Sequence, residues 1–183
     1  MMNLFTFTIT TALLIGALGV CCFVFQNKNN ELSTVLRSPK VTILFLGISL
    51  FWFLYRHVQS LGDADFGEYK ITIGLIAVFI AVSSYFFIND FLAVRSICIL
   101  LLFYAREVLD SAFLQEPITR LFLVSVVYFI IVLAIYFGTY PYRLRDFLKW
   151  LYTKSNRPIF LGTSLVICSI ILPGLSFTYY SAF

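Results

Sequence analysis

Six times along this chain an apolar stretch recurs at about the length a helix needs to cross a bilayer, and nothing else in the sequence restricts the fold as much. Hydrocarbon is roughly 30 Å thick and a helix rises about 1.5 Å per residue, so about 20 mainly apolar residues are required. The stretches cover 4–25, 41–55, 71–88, 91–105, 121–138 and 159–175. The second and fourth are short. Extended into polar flanks, the set becomes spans of about 4–25, 41–58, 70–88, 91–110, 120–138 and 159–178, within a single domain over 1–183. Of the 183 residues 61% are hydrophobic and 12% charged, more apolar surface than a globular core of this size could hide from water. The expected fold is therefore an all-α, polytopic membrane helix bundle of about six transmembrane helices.

Prolines punctuate that scheme where helices accept them. Pro39, Pro117 and Pro158 stand before or at helix starts, and Pro141 follows an end. Pro173 alone falls inside a span, which predicts a kink or early unwinding there. The stretch 4–25 lacks the basic leader of a cleaved signal and is read as a retained helix.

Orientation follows from the basic residues. Lys28, Arg37 and Lys40 outnumber Glu31 between spans one and two; Arg143, Arg145, Lys149, Lys154 and Arg157 outnumber Asp146 between spans five and six. The alternate connections are acidic on balance, with Asp63, Asp65 and Glu68 against Arg56 and Lys70, then Glu107, Asp110 and Glu116 against Arg106 and Arg120. Lys and Arg accumulate on the cytoplasmic side, so both termini are expected outside. The net charge of +4 is then a sidedness signal and not a nucleic-acid patch. The expected location is a bacterial inner membrane.

The residue inventory removes several chemistries. His57 is the one histidine, so a haem with two histidine ligands cannot form within this chain; His57 is the only internal candidate for a haem shared with another subunit. Cys21, Cys22, Cys98 and Cys168 contain no Cys-x-x-Cys pair, which argues against structural zinc and iron–sulfur sites. The apolar stretches hold no lysine for a Schiff base and no regular arginine series for voltage sensing. Gly47-Ile48-Ser49 and Gly162-Thr163-Ser164 have the Gly-x-Ser form of intramembrane serine proteases. Ser49 is eight residues from His57 on one helix, about 12 Å along its axis, and Ser164 belongs at the opposite end, so neither serine gains a base.

Those two motifs belong to a possible repeat. Phe45-Leu46-Gly47-Ile48-Ser49-Leu50 and Phe160-Leu161-Gly162-Thr163-Ser164-Leu165 agree at five of six positions, each after a basic segment containing proline. The expectation is a packing unit used twice, in which Gly47, Ser49, Gly162 and Ser164 let neighbouring helices approach.

Span four carries the polar exception. Arg95 and Arg106 are eleven positions apart, nearly on one helix face and about 16 Å apart along the axis; Asp110 continues the stripe at i+4. Two readings compete: the arginines snorkel to the two surfaces, Arg95 beside Asp90, or the stripe is buried against other helices, with Arg106 paired to Asp110 or Glu107. Asp63, Asp65 and Glu68, beside two turn glycines, are weak cation candidates without the remaining ligands of a calcium loop. In 142–154, Leu144, Phe147, Leu148 and Leu151 recur at helical spacing among Arg143, Arg145 and Lys149, with Trp150 suited to headgroups. That pattern predicts a short cytoplasmic amphipathic helix on the membrane surface.

With 21 Phe and 11 Tyr, more rings are present than interfacial belts require, and some could line a site for a lipid, quinone or pigment; the sequence encodes no cofactor of its own. Lacking a catalytic constellation, the chain reads first as a non-catalytic subunit of a larger membrane complex, its partners the bilayer and other membrane subunits. A small transporter or channel using Arg95, Arg106 and Asp110 is the alternative. An electron-transfer or pigment-binding subunit that borrows its cofactor from a partner is the third.

Overall fold

The computed structural model describes residues 4–25, 38–62, 67–87, 91–113, 120–154 and 156–180. Among them are seven α-helices and no strand: α1 Leu4–Val24, α2 Pro39–Trp52, α3 Lys70–Phe87, α4 Leu92–Ala112, α5 Arg120–Thr139, α6 Pro141–Tyr152 and α7 Asn156–Tyr180. A π-helical turn, Phe53–Val58, prolongs α2, and a 3₁₀ turn, Gly67–Tyr69, precedes α3. Five helical segments are long and apolar enough to cross a membrane, namely Leu4–Val24, Pro39–Val58, Gly67–Phe87, Arg120–Thr139 and Asn156–Gly174. That number of apolar segments makes the chain an integral membrane protein. The fourth expected span, α4, is long enough at 21 residues but is not among the five, because it carries Arg95, Arg106, Glu107 and Asp110.

The helices pack by the means available in lipid, close backbone approach and hydroxyl hydrogen bonds. The most extensive contact joins α1 to α7. A Cβ added at Gly16 would lie 2.7 Å from Ser169 Oγ, and one at Gly19 would lie 2.9 Å from Val166 Cγ2 and 3.0 Å from the Gly162 carbonyl oxygen. Across the crossing, Ser169 Oγ donates to the Ala12 carbonyl at 2.8 Å. Early residues of α1 thus meet late residues of α7, so the two helices are antiparallel.

Other pairings set the remaining directions. Phe53 stacks on Phe103 and Arg56 meets Glu107, which makes α2 parallel to α4. Cys98 lies against Gly138, and Arg120 Nη1 donates to the Ala112 carbonyl at 3.2 Å, which makes α4 antiparallel to α5. The last bond also serves as a tie between helix ends, since the final carbonyls of α4 have no intrahelical donor.

The core follows α4. One cluster packs Phe7, Ala12 and Ile15 with Ala105 and Val108, Leu123 and Val127, and Leu172. A second joins Val94, Cys98 and Ala134, with Leu144 of α6 against it. Eight residues of α4 are buried, whereas α3 buries none. The least apolar long helix therefore has protein around it, and a uniformly apolar one has almost none.

Two local expectations are narrowed. The helix α7 runs through Pro173 to Tyr180 without unwinding. Proline removes one backbone donor, and Leu172 beside it is buried in the α1–α4–α5 core. The paired Phe-Leu-Gly-x-Ser-Leu segments do not form equivalent packing units. Gly162 is pressed against Phe23 and the Gly19 carbonyl, while a Cβ at Gly47 would meet nothing within 4 Å. Ser49 is buried and Ser164 exposed, each hydroxyl donating to its own helix, at Leu46 and Phe160. Similar local sequence does not give similar neighbours, because those come from distant helices.

The asymmetry is testable. Gly162→Val is expected to lower unfolding stability in detergent by about 1–3 kcal/mol, since the Gly19 backbone cannot give way. Gly47→Val is expected to stay within about 0.5 kcal/mol of the parent chain.

Candidate functional site

Among the described residues, a polar constellation gathers where the end of α2 meets the last two turns of α4. It begins with a change of helical pitch. From Phe53 the α2 backbone widens into a π turn, closed by Gln59 N donating to the Leu54 carbonyl at 3.1 Å. Such turns are rare and concentrate at functional sites, because one added residue re-aims every side chain beyond it. Here the turn presents Arg56 and His57 to α4.

Arg56 grips Glu107 with both arms of its guanidinium. Nε donates to Oε1 at 2.7 Å and Nη2 to Oε2 at 2.8 Å. The Glu107 side chain is 15% exposed and that of Arg56 60%, so the carboxylate is largely covered while the cation keeps contact with its surroundings. Two parallel charge-assisted bonds fix distance and angle together, which makes this an oriented clasp between helices 51 positions apart in sequence. Beside it the His57 ring forms a triangle with Phe53 and Phe103, stacked on the first and tilted to the second, with centroids 5.7 and 5.0 Å away. Its Nδ1 is buried and has no hydrogen-bond partner among the described residues.

A hydroxyl cluster fastens the other side of α4. Tyr104 Oη lies 2.9 Å from Thr10 Oγ1 and 2.8 Å from Thr11 Oγ1, and both threonines also donate to the Phe7 carbonyl, at 3.0 and 2.7 Å. Three hydroxyl protons are shared over four short contacts, so the cluster cannot satisfy all four at once. Thr11 is fully buried, and the Tyr104 ring meets Phe7 edge to face. The clasp and the hydroxyl cluster thus hold α4 from two neighbouring helices.

The expected intramembrane stripe divides. Arg106 Nε is 3.8 Å from Asp110 Oδ2, and both side chains are mostly exposed, at 61% and 71%. Glu107, the other partner considered for Arg106, is taken by Arg56. Arg95 sits in the first turn of α4, at the opposite end, with Nε buried and lacking a hydrogen-bond partner among the described residues. Its expected neighbour Asp90 lies outside the described residues.

Of the cation candidates, Glu68 is exposed in the 3₁₀ turn, while Asp63 and Asp65 lie outside the described residues. Among the described residues no group of three or more His, Cys, Asp or Glu side chains could hold a metal ion.

The basic segment forms a second polar region. Within α6, Pro141 and Leu151 are buried, and Arg143, Asp146, Phe147, Lys149 and Trp150 are exposed. Arg145 pairs with Asp146 at 3.2 Å. The Arg157 guanidinium lies over the Trp150 ring at 4.2 Å, and Nη1 donates to the Trp150 carbonyl at 2.8 Å. Burial raises the Tyr152 phenol above its ordinary value, and the Cys22 and Cys21 thiols add to the shift; the end of α1 thus reaches this region too.

The bidentate clasp was not legible from the sequence, where Arg56 and Glu107 read as charges of two separate outer connections. Only the two acceptor–donor residue types at like ends of parallel spans hinted at it. Comparison with known proteins finds no matching family model, no matching curated protein and no matching solved structure.

A double-mutant cycle on Arg56→Gln and Glu107→Gln is expected to give a coupling energy of about 1 kcal/mol in detergent, small because Arg56 is exposed. A coupling of zero would reduce the clasp to a surface contact. Tyr104→Phe is expected to cost about 0.6 kcal/mol, the mean value of a hydrogen bond between membrane helices, and His57→Leu to be neutral or stabilising, because it removes a buried unpaired nitrogen.

Proposed function

We propose that the chain is a non-catalytic subunit, structural or accessory, of a larger membrane protein complex, and that α3 is its face toward other membrane subunits. The observation that carries this reading is the contrast between helices. The helix α3 buries no residue within the chain and leaves Ile71, Leu75, Phe79, Phe86 and Phe87 exposed along its whole length. Meanwhile the polar groups of the candidate site are spent on holding α2, α4 and α1 together. Side chains engaged in mutual clasps hold a scaffold in shape; they are not arranged around a reacting atom.

In this reading the chain crosses the membrane six times, with α4 as the sixth span and both termini outside. Support comes from the directions in which the helices pack. The start of α1, the ends of α2 and α4, and the start of α5 gather at one end of the bundle. The basic helix α6 lies at the other end with the start of α7. Alternating crossings with α6 along the cytoplasmic surface account for this arrangement. The covered charges of α4 are tolerable in a span because protein surrounds them.

Gentle extraction followed by native mass spectrometry is expected to return the chain with other membrane polypeptides attached. A photo-crosslinker at Phe79 is expected to capture a partner that one at Leu123, in the core, does not. A stable lone monomer under the gentlest extraction would overturn the proposal.

A further inference from the structure

The corner between α6 and α7 combines features that the proposed subunit role leaves unused. The segment 141–158 holds five of the thirteen basic residues and one of the nine acidic ones. The other charges of the chain cancel, so this corner carries the whole net charge of +4. Its single carboxylate, Asp146, is already paired with Arg145. That leaves Arg143, Lys149, Lys154 and Arg157 without an acidic partner among the described residues.

One of these cations is held in place. Arg157 is fixed from two directions, by its stack on Trp150 and by its bond to the Trp150 carbonyl. Lys154 is carried on the same turn, which Arg157 N closes by donating to the Lys154 carbonyl at 3.1 Å. A planar guanidinium and an ammonium three residues apart suit the oxygens of one phosphate. The start of α7 adds the positive end of a 25-residue helix.

The surroundings select which phosphate. Trp150 is exposed and stacks on Phe147 at 6.1 Å, and the series continues through Phe137, Tyr136, Tyr140 and Tyr142. A free anion in water has no use for exposed rings beside its cations. A phospholipid does, because its phosphate is joined to a glycerol–acyl region that favours Trp and Tyr.

We propose that the α6–α7 corner binds an anionic phospholipid, with the phosphate held by Arg157 and Lys154 and the glycerol–acyl boundary covered by Trp150 and Phe147. The site rests on the placement of α6 in the headgroup layer proposed above. Its occupant is a lipid of the cytoplasmic leaflet, whose negative charge meets basic side chains that have no acidic partner among the described residues.

Trp52→Phe leaves Trp150 as the only tryptophan, so fluorescence then reports this corner alone. The variant is reconstituted in phosphatidylcholine vesicles containing a minor, equal fraction of either brominated phosphatidylglycerol or brominated phosphatidylcholine. Brominated phosphatidylglycerol is expected to quench more strongly, with a preference of about fivefold for each basic residue that contributes. Lys154→Gln, which leaves the Arg157–Trp150 contacts intact, is expected to cut the preference, and Lys154→Gln with Arg157→Gln to abolish it while quenching by the zwitterionic lipid persists. Equal quenching by the two lipids in the parent would overturn the lipid site and leave the placement of α6 standing. Absence of quenching by either lipid would overturn that placement and the site with it.

Discussion

A helix that carries charge can stand in a membrane only if protein, not lipid, meets its polar groups, and the proposal that α4 is a sixth span rests on that requirement. The helix α4 has four charged residues, and with α5 it contributes to both core clusters while burying eight residues of its own. In water a polar helix migrates to the surface and an apolar one to the centre. In lipid the order inverts, because apolar side chains lose nothing by facing hydrocarbon, while unmet polar groups cost several kcal/mol each.

Each neighbour of α4 answers a different part of it. The π turn of α2 supplies Arg56 to Glu107 and wedges His57 against Phe103. The threonines of α1 meet Tyr104, and Arg120 at the head of α5 takes a carbonyl from the end of α4. The helix α7 touches α4 chiefly through the shared core, its own partner being α1, where small residues bring backbones together. The two packing modes are complementary. Gly16, Gly19 and Gly162 contribute dispersion over a close crossing, and the ion pair and hydroxyls contribute direction and register. A group of basic side chains without an acidic partner among the described residues lies at another corner, where α6, the start of α7 and a series of aromatic rings come together.

The five apolar spans were legible because length and hydropathy are properties of one segment at a time. The expected boundaries fall within a few residues of those observed, and the widest difference, at α7, arises because its helix begins before Pro158, a position a first turn accepts. The roles of the motifs were less legible. Gly47 and Gly162 stand in nearly the same hexapeptide, yet only Gly162 has a helix pressed on it. Arg106 had two acidic candidates on its own helix, and the better one, Glu107, turned to a residue 51 positions away. No local pattern announces a π turn either, since it is the neighbouring helix that makes the wider pitch worthwhile.

By itself, then, the amino-acid sequence determined the solvent of this protein, its helical class, the positions of its five long apolar helices and the net positive charge of the segment 141–158; the sixth span it offered, α4, is not among those five. Each follows from composition summed over a stretch of chain, and the cost of placing such a stretch in water or in lipid scales with that sum. Tertiary structure decided which helix is central, which glycines are crossings, which acid each arginine holds, and that Trp150 lies under Arg157. Those outcomes depend on pairs of residues from different helices, and in lipid no difference in apolarity sorts one helix face from another. Only the geometric fit of small residues and the directional demands of a few polar groups do so.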